Sequence, residues 1–178
     1  AGDLLKLVLR FEHPADAVVS RYFREHRLGP RERATLAETV YAVLRKKTLF
    51  NYLAQSGSGP LERRLAILGF AAERDFLFSA LSQPEKEWLQ RCDKVRPEEL
   101  MDLHRHNLPQ WLVDPLKAQL GSEFNALAHS LNELAGLDLR VNTLKAKRAE
   151  VQPQLAKLGI AAEPTPYSPW GLRLKDKP

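Results

Sequence analysis

The stretch Leu137-Asp-Leu-Arg-Val-Asn142 decides the fold class of this chain. Apolar and polar residues alternate along it, a pattern that is typical of a β-strand with one buried face. The residues ahead of it instead carry apolar side chains at helical spacing. We therefore expect an all-helical region to change into a region with strands at residue 137.

Downstream of this stretch, the sequence predicts one helix and two further strands. Residues 147–158 form the expected helix, which ends at Gly159 because glycine favours the position after a helix. Short strands are predicted at 160–163 and 171–175. The order strand, helix, strand, strand predicts a small α+β unit over residues 137–178. The last strand runs into Pro178 uncovered, so we expect the natural protein to continue.

Upstream, the apolar spacing predicts a series of amphipathic helices. The expected faces lie at residues 4–11, 17–23, 36–53, 61–76 and 124–134. The third of these should be one long helix with Arg45, Lys46 and Lys47 in its middle. The predicted fold class is therefore mainly α.

Proline marks further breaks, and we divide the chain at one of them. Arg96-Pro97 separates a helical domain, residues 1–95, from a helical connector, residues 96–136. In the connector, Asn107 is expected to cap a helix that starts near Pro109. Pro115 is expected to kink that helix or to start a new one, because proline removes one backbone hydrogen bond.

The charge of the chain is concentrated in two blocks. The net charge is +5, and residues 21–50 and 139–178 each hold eight basic against three acidic side chains. Residues 51–138 hold nine basic against thirteen acidic ones. A basic surface attracts polyanions, so the two blocks favour a nucleic-acid partner. The alternative is that they are ordinary solvated helix faces.

Several other functions lack the residues that they need. No apolar run approaches the length of a membrane span, and we expect a cytoplasmic protein with no membrane partner. The single cysteine, Cys92, should be a half-buried, inert thiol at a helix end. His104 and His106 should lie in a basic loop and hold no metal. We find no motif for a catalytic nucleophile, a metal or a dinucleotide.

The three tryptophans are expected in different settings. Trp88 and Trp111 sit at helix-face spacing and should belong to the core. Trp170 lies in the turn Tyr167-Ser-Pro-Trp-Gly171, where it can be exposed and is a candidate for stacking on a nucleic-acid base.

Five segments together resemble a known family. They are Leu108-Pro-Gln-Trp-Leu-Val113, Ser130-Leu-Asn-Glu133, Leu139-Arg-Val-Asn-Thr-Leu-Lys145, Leu155-Ala-Lys-Leu-Gly-Ile160 and Tyr167-Ser-Pro-Trp-Gly-Leu172. Their order and spacing resemble the region ahead of the catalytic domain in the Sun family of bacterial ribosomal RNA (cytosine-C5) methyltransferases.

Residues 3–95 resemble the amino-terminal domain of the same family more loosely, and that domain is similar to the all-helical RNA-binding protein NusB. The run Arg31 to Arg45 stands where such proteins carry a long central helix. That helix usually has a glycine ahead of its Val-Leu-Arg, and this chain departs from the pattern with Ala42.

The resemblance implies both a fold and an activity. The fold would be a NusB-like bundle, a helical connector and a small α+β unit ahead of a Rossmann-like domain. The activity would be methyl transfer from S-adenosylmethionine to carbon 5 of cytosine in RNA, expected to be ribosomal RNA. The cofactor site and both catalytic cysteines of the family belong to motifs beyond Pro178, and Cys92 matches neither. We thus expect no catalytic residue and no bound cofactor within this chain.

The expected RNA contacts are basic residues from both blocks. They are Arg45, Lys46, Lys47, Arg140, Lys145, Lys147 and Arg148. Arg140 could instead form a structural salt bridge, and Asn142 could hold a turn. Two other functions stay open from the sequence: a NusB-like RNA-binding adaptor that is not part of an enzyme, and a helical domain that binds proteins.

Overall fold

The computed structural model describes residues 1–175, so the last three residues of the predicted α+β unit, including the basic Lys177, lie outside it. The described chain is mainly helical with one small sheet, which confirms the predicted fold class. It divides into two compact units, Ala1–Asn132 and a second that begins at Glu133. The finer boundaries at residues 95 and 136 stay a prediction.

The described part of the first unit is built from α-helices joined by short turns. These helices are α1 (Gly2–Val8), α2 (Ala15–Glu25), α3 (Pro30–Arg45), α4 (Lys47–Ala54), α5 (Leu61–Leu68), α6 (Arg74–Ser79), α7 (Gln83–Cys92), α8 (Asp102–His106), α9 (Gln110–Leu120) and α10 (Phe124–Asn132). Single turns of 3-10 helix occur at Pro97–Glu99 and Gly121–Glu123.

Three apolar clusters hold these helices together. The largest joins α1 to α5 through fully buried side chains, among them Leu4, Val40, Val43 and Leu65. A second joins α5, α6 and α7 around Trp88, which is 3% exposed and confirms its predicted core position. The third packs α9 on α10.

The prediction of one long third helix is wrong, because the helix breaks at Lys46 into α3 and α4. In an unbroken helix the Leu49 N–H would donate to the carbonyl of Arg45. Here it donates instead to the side-chain oxygen of Asn107, at 3.1 Å, and the Thr48 hydroxyl donates to the same atom at 3.0 Å. A residue 58 positions away thus caps the start of α4.

The predicted role of Asn107 is therefore also wrong. It does not cap the helix near Pro109, since Pro109 itself is the residue ahead of α9. Asn107 follows α8 with a φ of 51°, the left-handed conformation that asparagine tolerates at helix ends. The expected basic loop around His104 and His106 is the helix α8.

The predicted helix face from Leu61 to Phe76 is interrupted at Gly69. A Cβ atom at Gly69 would lie 2.5 Å from Cγ2 of Val43, so the turn after α5 can approach α3 only without a side chain. The Ala71 N–H then donates to the hydroxyl of buried Thr39, at 3.3 Å. Phe76 lies on the separate helix α6 and is 65% exposed.

Expectations for α9 and α10 are also compared with the structure. Pro115 lies inside α9, so no new helix starts there, and the kink stays a prediction. Trp111 is 74% exposed, because α9 turns the face with Val113 toward α10 and residues two positions apart point elsewhere. The predicted face at 124–134 stops at Asn132, so Leu134 lies beyond α10 and is exposed.

The second unit confirms the predicted order strand, helix, strand, strand. Its elements are β1 (Leu137–Arg140), α11 (Arg148–Lys157), β2 (Ala162–Pro164) and β3 (Gly171–Leu174). The sheet is antiparallel with β3 in the middle. One face is apolar, with Leu172 and Leu174 buried, and α11 packs against β2 and β3.

Candidate nucleic-acid interface

One end of the small sheet gathers two connecting segments. Arg140, the last residue of β1, pairs with Gly171, the first residue of β3. The Val141 N–H donates to the carbonyl of Trp170 at 2.9 Å, which extends the pairing by one step. The loop after β1 and the turn before β3 therefore lie side by side. We call residues 140–148 and 165–171 together the loop end.

The loop end carries all four cations that the sequence predicted for RNA binding in the second block. Arg140 closes β1, and Lys145 lies in a short turn. Asn142 holds that turn, since its side-chain oxygen accepts the Leu144 N–H at 3.1 Å. Lys147 precedes α11, and Arg148 is its first residue.

The positive charge of the loop end is not neutralised by nearby carboxylates. Residues 139–149 and 164–172 contain no Asp or Glu. The three flanking acids are occupied: Asp138 pairs with Arg173 at 2.7 Å, Glu163 pairs with Lys175 at 2.5 Å, and Glu150 accepts the Lys147 N–H at 3.0 Å. The hydrogen bond from Arg173 lowers the pKa of Asp138, so this carboxylate stays charged and engaged.

Arg140 does not form the salt bridge that the sequence left open. Within residues 1–175, no ion pair joins a carboxylate to Arg140, Lys145, Lys147 or Arg148. The guanidinium of Arg140 lies over the ring of Trp170 instead, 5.4 Å from its centroid. A cation over an aromatic ring keeps its charge while its position is fixed.

The turn of the loop end is held by hydrogen bonds to a single carbonyl. The carbonyl oxygen of Ser168 accepts bonds from the Gly171 N–H at 3.3 Å, Nη1 of Arg148 at 3.0 Å and the Thr165 hydroxyl at 3.3 Å. The Thr165 N–H donates back to the carbonyl of Gly171 at 3.1 Å. The turn and the first residue of α11 are thereby tied together.

Three large apolar side chains stand at the same end of the sheet. Trp170 is 45% exposed, which confirms its predicted exposure in a turn. Tyr167 is 99% exposed and Leu144 is 95% exposed. The sequence reasoning missed Tyr167 as a candidate contact, although its place between Pro166 and Pro169 in a basic, acid-free stretch was a usable signal.

The first basic block lies where α3 gives way to α4. Lys46 is exposed at the break, and Arg45 and Lys47 are half-buried on either side of it. Nζ of Lys47 lies 4.4 Å from the ring centroid of exposed Phe11. In the described part of the chain, these three cations also form no ion pair with a carboxylate.

The histidines and the cysteine serve the packing of the first unit. His104 stacks on Tyr52 at 4.6 Å, and His106 meets the Phe124 ring edge-on at 4.9 Å. No group of three potential metal ligands occurs within residues 1–175.

Cys92 is buried and not half-buried as expected. Burial raises the pKa of its thiol, which disfavours the reactive thiolate. Among the helices of residues 1–175, none is long and apolar enough to cross a bilayer.

Part of the chain matches a known protein family. Residues 108–178 match the family described as Methyltr_RsmF/B-like, ferredoxin-like domain. The loop end lies within this match.

Two curated relatives carry matching names. A probable ribosomal RNA small subunit methyltransferase B from Synechocystis is 26% identical over 98% of this chain and 47% of its own length. Ribosomal RNA small subunit methyltransferase B from Photorhabdus laumondii is 30% identical over 53% of this chain and 21% of its own length.

The fold has a counterpart among solved structures. The crystal structure of PH0851 superposes with a TM-score of 0.64 at 18% identity, over 99% of this chain and 47% of that one. The chain thus spans about half the length of that structure and of the Synechocystis relative. Residues 108–178 are thus similar to the ferredoxin-like domain of RsmF/B-like methyltransferases, and the curated relatives carry names of the same kind. The superposition on PH0851 supports the fold.

Proposed function

We propose that this chain is the RNA-recognition region of an S-adenosylmethionine-dependent ribosomal RNA 5-methylcytosine methyltransferase. Its task is to bind folded RNA, and the methyl transfer is carried out by parts of the protein other than these residues. The observation that carries the proposal is the loop end. There, four cations without carboxylate partners lie on the turn and on the loop beside it, and the turn is hydrogen-bonded and carries exposed aromatic side chains.

The chemistry of the loop end suits RNA phosphates. Lysine and arginine neutralise phosphates and release condensed counterions, which supplies most of the sequence-independent affinity. Such contacts fix the register of the RNA without reading its sequence. Arg148 is held in place by its bond to Ser168, and its fork of donors leaves further N–H groups for a phosphate oxygen.

The described residues do not fit S-adenosylmethionine. Their sheet is antiparallel with three strands, whereas the dinucleotide-type cradle needs a parallel strand that runs through a glycine-rich turn into a helix. Gly171 and Gly159 stand at a strand start and a helix end, and neither opens such a cradle. We assign the cofactor, and the two catalytic cysteines, to the remainder of the enzyme.

The first test measures RNA affinity across salt concentration. Lys145→Gln/Lys147→Gln removes two charges from the loop end. We expect the slope of log K against log salt to become shallower by about 0.7–0.9 for each phosphate that is no longer neutralised. The matched control is Lys157→Gln, at the opposite end of α11, which should leave the slope unchanged. An unaltered slope in the double variant would contradict the proposal.

A second test addresses the enzyme assignment. The whole protein should transfer a methyl group from S-adenosylmethionine to cytosine in ribosomal RNA, read as incorporated label. Lys145→Gln/Lys147→Gln in the whole protein should raise KM for RNA more than it lowers kcat, because the removed side chains bind substrate and do not touch the reacting base. RNA binding without any methyl transfer would instead support the non-enzymatic adaptor.

A further inference from the structure

We propose that Tyr167 is a stacking platform for one unpaired base of the bound RNA, and that Arg140, held over Trp170, contacts the phosphate chain of the same strand. This inference rests on the proposed RNA-binding function and specifies which form of RNA the loop end takes. The ligand is an unpaired nucleotide in a single-stranded segment, a loop or a bulge.

The exposure of Tyr167 is the first observation. Its side chain is 99% exposed, so it contributes nothing to the core of the second unit. The neighbouring Trp170 differs, because one face of its ring is covered by the guanidinium of Arg140 at 5.4 Å. Of these two aromatics, Tyr167 is the one with its ring open to a ligand.

The rigidity of the turn is the second observation. Three donors converge on the carbonyl of Ser168, the residue directly after Tyr167. Pro166 and Pro169 further restrict the backbone on both sides. The tyrosine side chain has only two χ angles, so little conformational freedom remains to be lost on binding. The turn is thus preorganised, although its most exposed side chain makes no packing contribution.

The charge around Tyr167 selects the ligand. Arg140 lies over Trp170 and Arg148 donates to the carbonyl of Ser168, while Lys145 and Lys147 lie in the adjacent loop. Of the neighbouring acids, Asp138 and Glu163 pair with other cations, and Glu150 accepts the backbone N–H of Lys147. An aromatic ring among unpaired cations is the combination that single-stranded nucleic acid requires, because bases stack while the phosphates meet the cations. An apolar protein surface would gain nothing from four uncompensated positive charges.

The ring also decides between paired and unpaired RNA. Inside a duplex both faces of a base are covered by its neighbours, so a side chain can stack only on a base that is unstacked. Since every base has a π-face, the contact should tolerate all four bases. The loop end therefore distinguishes unpaired from paired RNA and does not read the sequence.

The test combines three substitutions of Tyr167 with two ligands in the full chain. The ligands are a short oligouridine strand and a strand of equal length in which abasic ribose replaces every nucleoside. On oligouridine, Tyr167→Ala and Tyr167→Leu should bind roughly 5- to 100-fold more weakly, while Tyr167→Phe keeps its affinity. On the abasic strand all four proteins should bind alike. Leu158→Ala, an exposed apolar side chain at the far end of α11, is the matched control and should change neither affinity.

The outcomes separate this inference from the function on which it rests. If Lys145→Gln/Lys147→Gln weakens binding but Tyr167→Ala does not, the stacking assignment fails and RNA binding stands. If Tyr167→Leu binds oligouridine as well as the parent, the contact uses apolar area and not an aromatic ring, and the stacking inference is overturned. If neither the charge variant nor Tyr167→Ala changes RNA affinity, both proposals fail.

Discussion

Asn107 directly follows α8 and links it to the start of α4 through its side chain. Its left-handed backbone follows α8, and its amide oxygen accepts the Thr48 hydroxyl and the Leu49 N–H at the start of α4. Asparagine suits this position because it tolerates positive φ and offers a short acceptor. The break that exposes Lys46 therefore depends on a residue in another segment of the chain.

Replacement of Asn107 tests this dependence. Asn107→Ala should lower the free energy of unfolding by about 1–3 kcal/mol, because it leaves part-buried donors unpaired and because alanine tolerates a positive φ less well than asparagine. Asn107→Asp keeps an acceptor and tolerates the same backbone, so it should be less destabilised. Urea denaturation followed by circular dichroism measures both. Equal stability of Asn107→Ala and the parent would show that the bonds are not needed.

Gly171 is the residue on which the loop end depends most directly. A Cβ atom there would overlap the Thr165 hydroxyl, which itself bonds the carbonyl of Ser168. Gly171→Ala should displace Thr165, loosen the turn and weaken the binding of oligouridine. Added removal of the hydroxyl, in Gly171→Ala/Thr165→Ala, should restore part of the affinity, because the most severe overlap disappears. Calorimetry on these variants and the parent measures the effect, and an unchanged Gly171→Ala affinity would argue against a fixed turn.

At the scale of elements, the short helix α8 is fastened by its two histidines. His104 stacks on Tyr52 of α4, and His106 packs against Phe124 of α10. Burial is the main cause that lowers the pKa of His106. Arg105 and Lys117 lower it further, while Asp102 raises it. Asp102 pairs with Lys117, so α8 is also linked to α9.

The lowered pKa of His106 predicts acid sensitivity of this helix contact. The folded state prefers the neutral ring, so its contribution to stability is complete above the ordinary histidine pKa of about 6.5. As the pH falls below that value, the unfolded chain takes up a proton first and the contribution is lost. Urea midpoints between pH 8 and pH 5 should fall, and His106→Gln should flatten part of this dependence. A midpoint trend that is the same in His106→Gln would assign the effect to other groups.

At the scale of the whole molecule, the structure sorts the cations into two kinds. Some are paired within the fold, as Arg63 is with Glu85 at 2.5 Å and Arg173 is with Asp138 at 2.7 Å. Others, in both basic blocks, have no carboxylate partner within residues 1–175. Net charge alone does not make this distinction, yet only the unpaired cations are available to a polyanion.

This sorting predicts that both blocks contribute to RNA affinity. Lys46→Gln/Lys47→Gln should reduce the salt slope as Lys145→Gln/Lys147→Gln does, and the combined variant should show the sum of the two reductions. The control Arg63→Gln removes a charge that is already paired and should leave the slope unchanged. If only the loop-end pair changes the slope, the first block is a solvated helix face, as its alternative interpretation held.

Local sequence patterns correctly predicted the features that depend on neighbouring residues. The alternation at residues 137–142 predicted β1. Gly159, with a φ of 77°, follows the end of α11, as expected. Trp88 at helix spacing was assigned to the core, where it lies. The RNA-binding role of the four cations at the loop end stays a prediction. Each of these depends on side-chain periodicity, backbone preference or charge, which are properties that a short stretch of sequence contains.

Tertiary structure alone decided the features that join distant residues. The break at Lys46 needs Asn107, and the end of α5 needs Val43 against Gly69, so periodicity there predicted longer helices than form. The sequence did not show that Arg140 lacks a carboxylate partner. In the structure, Asp138 pairs with Arg173, and the guanidinium of Arg140 lies over the ring of Trp170. The sequence by itself thus determined a helical chain with two cationic blocks and a small mixed unit. The tertiary fold decided which cations stay unpaired. Ion pairing and helix capping depend on distances between segments, and the order of residues in the sequence does not contain those distances.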